Sequence, residues 1–356
     1  MHGKRAAATR AVMSEADVRA AFLREGEWCA RLGAPLTARL RGRLGVVLDR
    51  TTAVGARVLD WPGDPYADAL MVRLAGGLHA HVRDGTALPL AAHFAPGAML
   101  DDASFDAGLA AALADERLLP WLDTPPQTNE VGRSGVLYPG LLTIAAVYGL
   151  PLRLFELGAS AGLNLRLDRY GYRLGTLDAG PAGASVHLAP AWSGPPPPAT
   201  GIRVDSRRGV DLAPVDLRDP AARERLLAYV WPDQRDRLAR AEAAIAAFVA
   251  DPVPLDTGDA AAWVEAQVTP QPGTATVVLH SIAFKYFPDT TKARIAAHLD
   301  REGARATADA PLAWLRLEAD DPRAPEQPTL RLRTWPGDDR LLAYTHPHGA
   351  SVEWLG

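Results

Sequence analysis

A chain of 356 residues, 48% of them hydrophobic, is long enough to bury a sizeable core as one large domain or two smaller ones. Its formal charge of −4 excludes a surface field that would recruit nucleic acid or an anionic membrane. The single cysteine, Cys29, excludes an intramolecular disulfide and a cysteine-only zinc site, and it suits a reducing compartment.

The opening "MHGKRAAATRAVMSEADVRAAF" has basic residues but no apolar core of the kind a secretory signal needs. From about residue 14 to residue 122 the pattern is helical. Phe22, Trp28 and Cys29, then Leu36, Leu40, Leu44 and Val47, recur at helix-like intervals between Asp-Pro and Pro-Gly breaks. "TPPQTNEVGRSG" is a polar break, followed by an apolar helix over 136–148 that Gly149-Leu150-Pro151 ends. The longest apolar stretch, 136–157, is interrupted by Pro139, Pro151 and Arg153, so it reads as helix turning into strand and not as a membrane span of ~20 apolar residues. A soluble, cytoplasmic protein is expected.

Residues 153–157 read as a short buried strand that runs into a glycine-rich turn. "YGYRL" and "ASVHLAPAW" read as a hairpin, and the proline tract 195–198 as a surface loop. Ile202-Arg203-Val204 begins another strand. Leu238, Ala241, Ile245, Phe248 and Val249 share a helical face, and "TATVVLHSIAF" contains the strongest buried-strand signal in the chain. "PLAWLRLEA" adds a strand, and the end reads as two antiparallel strands around Pro336-Gly337-Asp338-Asp339. Strands alternating with helices and closing in an antiparallel pair predict an α/β fold with a Rossmann-like mixed sheet over 131–356, carrying an insertion around 170–215. Residues 1–130 form an N-terminal helical domain or cap.

The glycine turn, "ELGASAGLN", admits two kinds of chemistry. Gly158-Ala159-Ser160-Ala161-Gly162 matches G-x-S-x-G, the serine elbow of a hydrolase, with Asp259 and then His280, His346 or His348 downstream in the hydrolase order of acid and base. Against it, the preceding residues read as helical where that fold has several strands, and no Gly-rich oxyanion segment lies upstream. A nicotinamide site would need glycine where Ser160 stands, and a phosphate-binding loop would need Lys after Gly162, where Leu163 stands. The alternative is a loop for S-adenosylmethionine. Small residues from Gly158 to Gly162 let the backbone approach the methionine portion, and Glu156 accepts hydrogen bonds from its ammonium group. Asn164 follows and joins the same candidate set. Asp259, in a turn before the helical Ala260, is suited to an adenine amino group.

The series "QTNEVGRSGVLYPGLL", "ELGASAGLNLRLDRYGY", "GVDLAPVDL", "YVWPDQ", "GDAAAWV" and "VVLHSIAFKYFP" resembles an uncharacterised bacterial family, domain of unknown function 2332, over most of the chain. More distantly, the order of "FELGASAG", "GDAAAW" and the strand at 276–279 is similar to the class I S-adenosylmethionine-dependent methyltransferases. That resemblance implies that Glu156, Gly158, Ser160 and Gly162 form the first cofactor motif, with Ser160 replacing its middle glycine, and that Asp259 contacts adenine. Asp205, after the apparent strand at 202–204, is the candidate for the ribose hydroxyls, with Asp211 as the rival.

Methyl transfer is an in-line displacement whose protein contribution is mainly alignment, so a base is needed only for an acceptor that must lose a proton. His280 and Ser281, at the carboxyl end of the strand 276–279, and Tyr286 one turn on are the candidate catalytic residues; His280 alternatively only caps its strand. Asn129, Glu130 and Arg133 are the candidate substrate-binding residues, although Thr128 or Asn129 would equally serve as a helix cap with Glu130 in its first turn. No metal site is expected at His79/His81 or His346/His348, which lack a third ligand. The expectation is a small-molecule methyltransferase with its pocket between the two parts. A serine hydrolase or a non-catalytic ligand-binding protein of the same fold are the alternatives. No oligomeric state is read from the sequence.

Overall fold

The computed structural model describes residues 13–95, 97–98, 101–321, 324 and 327–356, so the reading of residues 1–12 lies outside the described residues. Two compact units emerge. The first is Met1–Thr128 together with Glu224–Leu238, and the second is Asn129–Arg223 together with Ala239–Gly356. Among the described residues, no helix is long and apolar enough to cross a membrane.

The first unit is helical: α1 (Glu15–Arg31), α2 (Pro35–Val47), α3 (Ala53–Leu59), α4 (Leu70–Arg83), α5 (Leu88–Ala91), α6 (Asp102–Leu113) and α7 (Leu119–Asp123). Ser14 and Asp17 start α1 with a reciprocal capping box. Phe22, Leu40, Leu44, Leu74, Leu78, Phe105 and Leu109 then meet in one fully buried cluster. The start of α2 has no such local cap. Its N-cap is Ala34, and its first N–H groups are satisfied by a residue about 200 positions away: the Asp233 carboxylate accepts from the backbone N–H of Leu36 (2.9 Å) and Thr37 (3.3 Å) and from the Thr37 hydroxyl (2.8 Å). The segment 224–238, which the sequence pattern assigned to the second part, belongs to the helical unit for this reason. Its Trp231 ring meets Trp28 edge-on at 5.7 Å.

In the second unit, α8 (Ser134–Tyr148) stops at Gly149, whose φ of 65° is the left-handed conformation that a helix C-terminus favours. The chain continues through β1 (Leu152–Leu157), β2 (Gly171–Leu174), β3 (Leu177–Ala179), β4 (His187–Leu188), β5 (Ala191–Ser193) and β6 (Val204–Asp211). Helices α9 (Pro220–Ala228) and α10 (Arg235–Ala250) each carry residues of both units. Then come β7 (Leu255–Thr257), α11 (Ala260–Gln267), β8 (Ala275–Ser281), α12 (Asp289–Gly303), β9 (Leu312–Glu318), β10 (Thr329–Trp335), β11 (Asp339–Thr345) and β12 (Ser351–Trp354). The expected hairpin of "YGYRL" with "ASVHLAPAW" is not formed. β2 turns back on β3, β4 joins β2 in parallel, and β5 leaves for the edge of the main sheet beside β12.

The protein is thus an α/β structure with a large mixed sheet, in the order β5-β12-β11-β10-β9-β8-β1-β6-β7. β7, β6, β1, β8 and β9 are parallel, while β10, β11 and β12 extend the sheet antiparallel. The chain winds outward from β1 to β6 and β7, then crosses to the other side of β1 for β8 and β9. The sheet therefore has a topological switch point between β1 and β8, the place where open α/β sheets form a crevice at their carboxyl ends. Phe155, Leu157, Val210, Val278 and Trp314 bury one face under α11 and α12. Glu156, Gly209 and Leu279 are register partners, one residue out of phase with that set, so they look to the opposite face, where Leu315 packs against Gly140 of α8.

Removing the remote cap in Asp233→Ala is expected to destabilise the helical unit by about 1–2 kcal/mol. Urea unfolding followed by tryptophan fluorescence measures this, and an unchanged midpoint would show that water replaces the carboxylate at no cost.

Candidate functional site

At the carboxyl end of β1 the backbone enters the left-handed region three times in five residues, at Gly158 (φ 65°), Ser160 (φ 51°) and Gly162 (φ 72°). Glycine takes that conformation freely, whereas a serine there costs on the order of 1 kcal/mol. The turn is held by its neighbours. The Asp211 carboxylate, at the last residue of β6, accepts from the N–H of Ser160 (2.9 Å) and of Ala213 (3.0 Å). The Asn129 side-chain oxygen accepts from the Leu163 N–H (2.8 Å). A 3₁₀ run, Leu163–Arg169, then replaces the longer helix that often follows such a loop.

A second strained turn lies beside the first. Ile282, directly after β8, has φ 50°, an outlier for a β-branched residue. It is fixed by Glu318, the last residue of β9, one of whose oxygens accepts from His280 Nδ1 (2.7 Å) and from the N–H of Ala283 and Phe284 (3.0 Å each). The two turns touch: a Cβ at Gly158 would lie 2.6 Å from that of Ala283. Backbone strain of this kind concentrates where surrounding structure over-determines it, commonly at functional sites.

Between these turns, on the α8 side, Glu156 is 1% exposed and its Oε2 has no hydrogen-bond partner. Burial pushes its pKa up to about 8; the nearby Asp211 carboxylate adds to the rise and Arg133 opposes it. The Arg133 guanidinium donates to the backbone oxygens of Pro347 and Ser281, each at 3.1 Å. Ser134 donates to the side-chain oxygen of the fully buried Asn164 (2.7 Å), whose amide nitrogen is without a partner. Glu130 caps the short turn Val131–Arg133 through the Gly132 N–H (2.8 Å). Gly132 in turn lies against the loop 346–349, since a Cβ at Gly349 would fall 2.2 Å from the Gly132 oxygen. In that loop His346 Nδ1 accepts from the His348 N–H (3.1 Å). Among the described residues, no group of three or more His, Cys, Asp or Glu is placed to hold a metal ion.

The carboxyl edge of β1 and β8 thus gathers Glu156, Gly158, Ser160, Gly162, Asn164, Asn129, Glu130, Arg133 and Ser281. Asp259 lies further along the same edge, after β7. Its carboxylate caps α11 through the Ala262 N–H (2.9 Å) and accepts from the Thr291 hydroxyl (3.3 Å), with Ala260 buried behind it. Three placements differ from the sequence reading. Asp205 is the second residue of β6 and exposed, at the amino end of the strand, so it is remote from the crevice; β6 runs on to Asp211, which holds the loop. Tyr286 is 74% exposed. His280 is at the right strand end but shares the opposite face with Glu318 and stacks on Phe284 (4.7 Å), fully buried.

Of the hydrolase candidates, His280 gives its Nδ1 to Glu318 on the opposite sheet face, and Asp259 is a helix cap. Sequence reasoning missed Glu318, at which only the acid closing "WLRLE" hinted, and it weighed His346 and His348 as a base or a metal pair without placing their loop against Gly132.

A model of the family domain of unknown function 2332, described as an uncharacterized protein conserved in bacteria, matches residues 19–354, and the chain belongs to that family. No curated protein matches, and no solved structure does.

Glu156 makes stability depend on pH. Its carboxyl holds its proton up to about pH 8 in the folded chain, against an ordinary value of 4.5. Between those values the native state binds more protons than the unfolded one, so this residue's contribution falls as pH rises and levels off above 8. Glu156→Gln is therefore expected to be more stable than the parent by a growing margin from pH 5 to pH 8. Melting temperatures across that range test it, and a constant difference would place the carboxyl in a more polar setting.

Proposed function

We propose that this family member is an S-adenosylmethionine-dependent methyltransferase with a small-molecule acceptor, working in the crevice outside β1 and β8. The observation that carries the reading is the buried Glu156 carboxyl, with an unused oxygen, beneath a turn made of Gly158, Ser160 and Gly162 at the switch point. The parallel half of the sheet supports it: in order of succession its strands run third, second, first, fourth, fifth, the Rossmann-like arrangement. The sheet departs from strict Rossmann form in its antiparallel extension by β10, β11 and β12.

On this reading each residue has a definite task. Glu156 takes the ammonium group, and the small residues of the turn let the backbone lie against the methionine chain. Asp211 replaces Asp205 as the acid for the ribose hydroxyls, because it stands at the carboxyl end of β6. Asp259 and Ala260, one strand further out, suit the adenine. The cofactor supplies an electrophilic methyl group whose transfer needs alignment above all, and well-oriented reactants gain ~7–11 kcal/mol from it. Arg133 and Asn129 tie the segment 129–133 across the ends of β8 and the glycine turn, which narrows the acceptor's approach. His280, bound to Glu318, acts as a positioning residue for the turn at Ile282, leaving Ser281 nearest the crevice. The near-balanced charge favours a small acceptor over a polymer.

Calorimetric titration of ligand-free protein with S-adenosylmethionine and S-adenosylhomocysteine tests the reading. Saturable one-to-one binding is expected, lost in Gly158→Arg and weakened ~10–100-fold in Asp211→Asn, as for loss of a hydrogen bond to a charged group. Asp205→Asn should bind as the parent does, and Ser160→Gly should keep its affinity. A folded protein that binds neither compound would overturn the proposal, and fluorophosphonate labelling lost in Ser160→Ala would point to a nucleophilic serine instead.

A further inference from the structure

We infer that the crevice admits an amino group only as Glu156 gives up its proton, so that each ligand bound through an ammonium group releases one proton to solvent. The identity of the ligand rests on the cofactor reading above; the coupling rests on how Glu156 is enclosed.

Every charged or titratable group facing Glu156 is accounted for by element. From the turn before α8 comes Arg133, with donors directed to the Pro347 and Ser281 oxygens. From the end of β6 comes the Asp211 carboxylate, an anion that accepts from two backbone N–H groups. Beyond the 3₁₀ run comes Tyr170, whose buried phenol is pushed up and donates to the Leu163 oxygen (2.6 Å). The strand neighbours Gly209 and Leu279 bring no charge. Among the described residues, no donor reaches Oε2. An ionised Glu156 would have a competing anion beside it and no hydrogen bond on that oxygen, so its surroundings favour the acid. A primary ammonium supplies the missing donors and a full positive charge. The step balances simply: the carboxylic acid and the ligand ammonium become a carboxylate–ammonium pair, and the acid's proton goes to the buffer. If the ligand enters as a neutral amine, the ligand's own proton is the one released, and the count is the same.

The experiment is titration of the full chain with S-adenosylhomocysteine at pH 7 in phosphate and in Tris, whose ionisation enthalpies differ widely. Release of nearly one proton per ligand is expected from the buffer difference, with affinity rising ~10-fold per pH unit between pH 6 and 7 and levelling above pH 8. In Glu156→Gln the release should vanish while thermal melting confirms the fold. Binding with no proton exchange, or with undiminished release in Glu156→Gln, would overturn the coupling and leave the cofactor reading standing. Absence of any binding would overturn that reading and the coupling with it.

Discussion

The hydrogen bond from the Ser160 N–H to the Asp211 carboxylate holds together the edge on which the candidate site is built. Without it, a serine at φ 51° would relax toward ordinary backbone and the turn after β1 would open. The bond has a partner requirement that reaches further. Asp211 must be the last residue of β6, so β6 must pair with β1 in the register that sets Val210 beside Leu157. A slip of one residue would turn Asp211 to the α11 face and put Val210 where the charge now stands.

Glu156 shows the other side of that arrangement. A carboxyl buried on a strand, with one oxygen unpaired, weakens the fold at neutral pH compared with an amide or apolar residue of similar size. The rest of the unit is well supplied with compensation: β8 is buried along its whole length and both sheet faces are covered. Glu156 is one of several buried polar groups of the unit without a partner, and it stands at a switch point between two left-handed non-glycine residues, Ser160 and Ile282, that follow adjacent strands.

What could be read in the sequence follows from the range of the interactions involved. The glycine turn, the buried strand at β8 and the end of α8 at Gly149 are written in neighbouring residues, and they were legible. The end of β6 was not. "VDSRRGVD" has only two buried residues, Gly209 and Val210, so the strand carries no apolar alternation, and its start was taken for its end. Asp205 was therefore placed ahead of its rival Asp211, which stands at the strand's carboxyl end. His280 was read at the carboxyl end of its strand, but its face was not legible, because alternation fixes which residues share a face and only packing fixes which face meets α8. The return of 224–238 to the helical unit depends on Asp233 meeting Leu36 and Thr37, and no local pattern announces a contact across that separation.

The two strained turns are secured by one logic, applied twice. The turn after β1 is held by the terminal acid of β6, and the turn after β8 by the terminal acid of β9. In the sheet order β9-β8-β1-β6, both acids belong to the outer neighbours, so each turn is pulled from outside. Asp211 reaches its turn from the α8 face and Glu318 from the α11 and α12 face, which keeps the two anions apart on opposite sides of the sheet. Between the two turns, at the carboxyl ends of β1 and β8, stand Glu156 and the Arg133 that spans to Ser281. The anchoring is done from the flanks, and Glu156, between the two turns, keeps an oxygen without a partner among the described residues.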